Sequence, residues 1–290
     1  MNESIAAIAV LALGCSCFAQ SGNPIAPSDQ AQAPAVQTAQ EQRLANAPTE
    51  IQSCYYTFTS GTGNTYLSYC ITPTGNITYL ETPKNYVQIN HTYLALTGGE
   101  GYGFCDANTA TQYYDWADFD SGNWDAITIL SQTATVMKFA RTTSDGLWTL
   151  TETITQVPST SSVKIAMALK NNSTIARTAY LVRYADIDAD NFNSNFGDGT
   201  GNSAFIWNTS PNPAALTQTH GLVLQNVGTP QLPAWDGFVQ NTVYGPNPCA
   251  FANSWVGPGP VYADLSAVLA YVGSVPAKAT RTVTVSYKGL

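Results

Sequence analysis

The sequence predicts an all-β protein: a large antiparallel β-sandwich with long loops and little or no helix. Three observations carry that prediction. Residues suited to pleated, half-buried surfaces crowd one region, since all 16 Tyr and all six Trp lie beyond residue 50. Apolar and polar residues alternate with period two in several long runs, which is the mark of a strand with one buried face. Strand-like and helix-like segments do not alternate along the chain, as a parallel α/β sheet would require.

Residues 1–19 read as a secretion leader. Ile5 to Leu13 is a run of nine apolar residues, followed by Gly14-Cys15-Ser16-Cys17-Phe18-Ala19. A short apolar core before small residues fits cleavage after Ala19. The segment departs from the usual pattern in carrying Glu3 and no Lys or Arg before the apolar run. Lipidation at Cys15 is the alternative. Residues 20–50 are mostly Ala, Gln, Pro and Ser without an aromatic. Such a stretch buries too little apolar surface to offset its ordering entropy, so it reads as a disordered spacer. The β-sandwich domain then occupies 51–290. The expected location is secreted or extracellular, with periplasmic or lipid-anchored forms as alternatives.

Within the domain, Trp148, Leu150 and Ile154 alternate with Thr149, Thr151, Thr153 and Thr155. Val163, Ile165, Met167 and Leu169 alternate with Lys164, Ala166, Ala168 and Lys170. Val283, Val285 and Tyr287 alternate with Thr282, Thr284, Ser286 and Lys288. Turn signals separate such runs at Gly61–Asn64, Gly75-Asn76, Asp145-Gly146 and Asn171-Asn172. Asp264 to Val272 fits a short helix or an apolar strand equally well. Two packed sheets accommodate long antiparallel strands best.

Four cysteines follow the leader: Cys54, Cys70, Cys105 and Cys249. An even set in an exported chain favours disulfides. A hairpin turning at Gly61–Asn64 would place residue i opposite 124 − i, bringing Cys54 to face Cys70. Cys105–Cys249 follows by exclusion. Zinc is disfavoured, because there is no C-x-x-C pair and His91 and His220 are the only histidines. Asn76-Ile77-Thr78 and Asn90-His91-Thr92 are glycosylation sequons.

Composition excludes several function classes. Charged residues make up 10% and the net charge is −8, against a usual share of about 25% charged. An electrostatic nucleic-acid binder needs basic patches that this chain lacks. No internal stretch is long and apolar enough to span a membrane as a helix. G-x-S-x-G, Walker A, H-E-x-x-H and Rossmann patterns are all absent, so a nucleotide or redox cofactor has no support.

The segment Tyr113 to Asp125 packs five aromatics and four carboxylates into 13 residues without a cation. Aromatic rings stack on the CH faces of sugars, and carboxylates accept hydroxyl protons. Tyr114, Trp116, Asp118, Asp120 and Trp124 are therefore the candidate ligand-binding residues, for a polysaccharide or cell-surface glycan. A carboxylate pair at the right separation would also perform glycoside hydrolysis. The structural alternative is a loop whose rings plug the end of the sandwich.

Glu152 shares the predicted inner face with Trp148, Leu150 and Ile154. An unpaired carboxylate there is costly, so a cationic partner is expected, Arg183 or Arg141. A carboxylate lining a concave sheet face is the functional alternative, by fold-level analogy with large β-sandwich hydrolases, lyases and sugar epimerases.

Asp186-Ile187-Asp188-Ala189-Asp190 opens an Asn/Gly-rich stretch that ends at Gly197-Asp198 and reads as a loop. It resembles the D-x-D-x-D start of calcium loops in EF-hand and dockerin-like proteins over 13 residues. It departs at Asn191, where Gly is expected, and at Gly197, where the bidentate acid should stand. The resemblance implies calcium, held by Asp186, Asp188, Asp190 and Asp198. The function that fits best is a secreted module binding glycan or cell-surface material. A carbohydrate-active hydrolase or lyase, and a surface or filament subunit, are the alternatives.

Overall fold

A computed structural model describes residues 55–60, 67–81, 86–88, 99–117, 120–160, 162–189, 195–200, 203–209, 219–228, 234–240, 247–250, 261–263 and 265–289. The leader, the spacer, Cys54, Asn90, His91, Asp118 and Asp190 lie outside the described residues. The described chain is almost entirely antiparallel strand, with one 3-10 turn at Pro158–Thr160. The all-β expectation holds.

Two large sheets face each other. The nine-stranded sheet runs, from one edge to the other, through β17 (Val261–Ala263), β13 (Asn195–Thr200), β14 (Ser203–Thr209), β15 (Thr219–Asn226), β19 (Thr280–Gly289), β10 (Ser162–Asn171), β9 (Trp148–Val157), β8 (Val136–Thr142) and β7 (Thr128–Gln132). The opposing sheet runs β16 (Ala234–Gln240), β18 (Ser266–Val275), β11 (Arg177–Asp186), β5 (Glu100–Asp106) and β6 (Thr111–Asp115). A third sheet of short strands, beyond the two expected, holds β1 (Tyr56–Ser60), β2 (Leu67–Ile71), β3 (Ile77–Glu81), β4 (Tyr86–Gln88) and β12 (Asp188–Ala189).

The core lies where the alternating runs point. Trp148, Leu150 and Ile154 of β9 are buried on the same inner face as Val163, Ile165, Met167 and Leu169 of β10 and Val283, Val285 and Tyr287 of β19. Tyr102 and Phe104 of β5, with Ala179, Leu181 and Ala185 of β11, meet them from the opposing sheet. Burying each large side chain of this set stabilises the fold by about 1.5–3 kcal/mol. The outer residues of β11, Val182 and Tyr184, form a second cluster with Trp116, Val268 and Ala270. That second burial makes β18 apolar on both faces. It resolves the ambiguity over Asp264–Val272 in favour of a strand.

Two sequence expectations are corrected here. The β1–β2 hairpin forms, but Phe58 faces Tyr69 and Thr57 faces Cys70, so residue i lies opposite 127 − i. The register is three residues away from the predicted one, and it sets the buried rings of Phe58 and Tyr69 5.2 Å apart. The Asn/Gly-rich stretch read as loop contains a strand, β13, paired on both sides by β14 and β17.

Cys105 and Cys249 are joined, as expected, across a sequence separation of 144. Cys70 is also disulfide-bonded; Cys54, its expected partner, lies outside the described residues.

The turn between β2 and β3 enters the core. Asn76 is fully buried and donates from Nδ2 to the carbonyls of Glu100, at 2.7 Å, and Asp115, at 3.1 Å. This sequon is therefore a structural asparagine in the folded protein. Gly75, at φ +90°, lies so close to Phe139 that an added Cβ would sit 1.9 Å from its ring, so only glycine fits this turn.

Candidate functional site

The acidic aromatic segment folds back on β6. Asp115 and Asp120 form an isolated antiparallel bridge, and the Ser121 amide donates to the Tyr114 carbonyl at 2.9 Å. Side chains tighten the return: Gly122 N–H donates to Asp120 Oδ1 at 2.7 Å, and Ala117 N–H to Asp115 Oδ1 at 3.2 Å. Such Asx turns are what closely spaced aspartates favour. The result places two carboxylates of one segment side by side.

Arg141 of β8 reaches from the nine-stranded sheet into this corner. Its Nη1 lies 2.6 Å from Asp115 Oδ2 and its Nη2 3.1 Å from Asp120 Oδ2. Its guanidinium sits over the Trp124 ring, 5.2 Å from the centroid. Exposure grades outward, from 2% at Asp115 and 7% at Arg141 to 34% at Asp120. Burial pushes the Asp115 carboxyl up to about 7, against the pull of Arg141; the charge of Asp120 adds to the rise. Only the Asp120 edge of the cluster meets solvent.

The aromatic residues divide into packed and half-buried. Trp116 is 1% exposed, stacked on Tyr114 with ring centroids 5.5 Å apart and edge-on to Tyr184. Its ring is committed to the outer cluster. Tyr114 and Trp124 are half-buried. Trp124 packs edge-on against Tyr102, Phe104 and Tyr113, and its Nε1 donates to the Tyr114 carbonyl at 3.1 Å. Of the five predicted binding residues, the structure thus brings Asp120 and Trp124 to one partly open corner beside Arg141, while the Tyr114 ring stacks on Trp116 on the other face of β6. Trp116 lies behind it, and Asp118 is outside the described residues.

A second polar cluster lies inside the sandwich. Arg183 Nη1 forks onto both oxygens of Glu152, at 3.2 and 3.1 Å, and its Nη2 pairs with Glu100. Tyr287 OH donates to Glu100 Oε1 at 2.7 Å, and the Ile77 amide donates to Glu100 Oε2 at 2.6 Å. Arg183, Glu100 and Glu152 are all 0% exposed. Burial raises both carboxyls, Glu152 to about 8, although Arg183 opposes the rise. Desolvation prevails because two carboxylates share one guanidinium. Of the two partners expected for Glu152, Arg183 is the one used, and Arg141 serves Asp115. Glu100 went unread in the sequence, although its even spacing from inward-facing Tyr102 and Phe104 was the available signal.

Of the four residues proposed for calcium, Asp190 lies outside the described residues and the other three stand on three different strands. Asp186 is fully buried near the end of β11, where the Ser266 hydroxyl donates to its Oδ1 at 3.3 Å. By strand alternation it belongs to the outer side of its sheet, with Val182 and Tyr184. Asp198, on β13, pairs with Phe205 on the outer side of the nine-stranded sheet and accepts the Gly199 amide at 2.8 Å. Asp188 lies in β12, opposite Gln88. Among the described residues, no three His, Cys, Asp or Glu side chains group as metal ligands would. Among them also, no helix is long and apolar enough to cross a membrane.

No protein-family model matches the chain, and no curated protein matches it. Among solved structures it is similar to a bacterial glucoamylase complexed with acarbose, at 10% identity and a TM-score of 0.49, over 84% of this chain and 34% of that one. It is similar to an aldose epimerase homologue from C. elegans, at 8% identity and a TM-score of 0.46, over 81% of this chain and 98% of that one. It is also similar to a galactose mutarotase-like protein from Lactobacillus casei, at 9% identity and a TM-score of 0.43, over 81% and 100% of the two chains. These likenesses concern the arrangement of strands; the functional reading rests on the side chains described above.

Proposed function

We propose that this chain is a secreted, carbohydrate-directed β-sandwich protein, and that sugar meets it at the corner built by Asp120, Arg141 and Trp124. One observation carries the reading: the Asp120 carboxylate is fixed by Arg141 beside the half-buried Trp124 ring, with its edge in solvent. A fixed acceptor beside ring surface suits a ligand with hydroxyls on its rim and CH groups on its faces. The charges at the solvent edge nearby, half-buried Asp120 and exposed Asp125, are acidic, and the chain carries −8 overall. That field disfavours acidic polysaccharides and leaves neutral glycans as the ligand class.

A second reading, chemistry on the bound sugar, is favoured by the pairing of Asp115 with Asp120. Acid–base catalysis needs a carboxyl that holds a proton near neutral pH beside one that is ionised. Asp115, raised to about 7, fits the first part as a proton store behind Asp120, the carboxylate at the solvent edge.

Titration calorimetry with neutral oligosaccharides, alongside reducing-end and anomeric-exchange assays, tests both readings. Asp120→Asn is expected to weaken binding; if turnover is present, Asp115→Asn is expected to abolish it while binding persists. Wild-type binding that survives Asp120→Asn and Trp124→Ala unchanged would overturn this corner as the site.

A further inference from the structure

A different part of the molecule carries a second ligand surface. The cross-strand register lines up Tyr262 of β17 with Phe196 of β13, and Phe196 with Trp207 of β14. The three rings form a row across adjacent strands, with centroids 4.8 Å apart for Phe196–Tyr262 and 6.0 Å apart for Phe196–Trp207. Alternation places the row on the outer side of the nine-stranded sheet, because Ala204 and Ile206, which flank Phe205 on β14, belong to the core.

The row is exposed at its Tyr262 end and runs into buried Gly221 at the other. Tyr262 is 61% exposed and stands on the edge strand. Beyond Trp207 the next position in the row is Gly221. A Cβ there would meet Trp207 Cα at 2.7 Å and the Ile206 carbonyl oxygen at 2.3 Å, so this residue brings no side chain to the row. The next row on the same face pairs Asp198 with Phe205, both half-buried.

We infer that the strip Tyr262–Phe196–Trp207, with Asp198 beside it, is a binding platform for a neutral polysaccharide chain. The inference rests on the carbohydrate-directed reading and adds a contact surface outside the Asp120–Trp124 corner. Three strands span about 10 Å, which suits consecutive sugar rings along a chain rather than one monosaccharide. Phe196 is sandwiched between its neighbours, so the ring surface offered to CH groups is that of Tyr262 with the outer edges of Phe196 and Trp207, and the Asp198 carboxylate accepts hydroxyl protons. A strip that only fastened the sheet would gain by covering its outermost ring. Here that ring is the most exposed large hydrophobic side chain among the described residues.

Native affinity gel electrophoresis tests the platform with the whole chain. Gels are cast with mixed-linkage β-glucan, xyloglucan, galactomannan or soluble starch. Retardation of the wild type is expected in at least one gel. Tyr262→Ala should reduce the apparent affinity about tenfold, the loss of one stacked ring, with an unchanged circular dichroism spectrum. Tyr262→Phe, which keeps the ring, should remain within about twofold. Titration with the retarding polysaccharide should also alter tryptophan fluorescence in the wild type. Retardation unchanged by Tyr262→Ala would overturn the platform, and the effect of Asp120→Asn in the same gel would then judge the corner by itself. Wild-type protein retarded in none of the gels also overturns the platform. If it still binds short oligosaccharides in an Asp120-dependent way, the carbohydrate-directed reading survives that failure.

Discussion

Arg183 on β11 and Glu152 on β9 join the two large sheets through a fork 3.2 and 3.1 Å long, inside a core where neither side chain is exposed. Glu100 pairs with the same guanidinium, so two carboxylates depend on one cation. Removing the arginine would strand both acids in the core. Arg183→Met is therefore expected to cost about 3–5 kcal/mol, or to prevent folding. Glu152→Gln keeps a neutral acceptor facing Arg183, as the proton-holding Glu152 does, so it should stay within about 1 kcal/mol of the wild type near neutral pH. Urea denaturation of the two variants checks this; equal losses would contradict the shared-cation account.

The same cluster sets the dependence of stability on pH. Glu152 is raised by burial to about 8 and Asp115 to about 7, and Glu100 is raised as well. In the unfolded chain these groups titrate near their ordinary values, about 4.3 for Glu and 3.9 for Asp. Between those values and the folded ones the native state holds more protons than the unfolded state. Stability therefore falls as pH rises through that window. The melting temperature is expected to be higher near pH 5 than near pH 8. Glu152→Gln should flatten the decline, and a melting temperature rising over the interval would contradict the assignment.

A non-reducing peptide map is expected to show Cys105–Cys249 and Cys54–Cys70, with no free thiol in the mature chain. Closing a loop of more than a hundred residues, Cys105–Cys249 should contribute about 4–5 kcal/mol in the chain-entropy model. Cys249→Ser should lose most of that by denaturant titration. A map in which Cys70 joins Cys105 or Cys249 would contradict the bonding of Cys105 to Cys249.

The fold was legible wherever one face of a strand is buried and the other is wet. Trp148–Ile154, Val163–Leu169 and Val283–Tyr287 each display the period that the sandwich imposes. Glu152 interrupted that pattern, and the interruption pointed to a buried partner. Legibility stopped where long-range pairing decides the outcome. Nothing local marks Asn195–Thr200 as a strand, because its partners lie in β14 and in β17, the latter some sixty residues away. The row Tyr262–Phe196–Trp207 was hidden for the same reason. The acidic aromatic segment was found by composition, but composition could not separate Trp116, sealed against Tyr184, from Asp120, which keeps an edge in solvent.

The most direct measurement of the central proposal, recognition of neutral glycan, is affinity electrophoresis of the wild type beside Asp120→Asn, Trp124→Ala and Tyr262→Ala in gels containing neutral polysaccharide. Retardation of the wild type is expected, with each variant weakened by roughly five- to tenfold, the worth of one ring or one fixed acceptor. Migration of the wild type unaltered by every polysaccharide, with no heat of binding for neutral oligosaccharides, would contradict it.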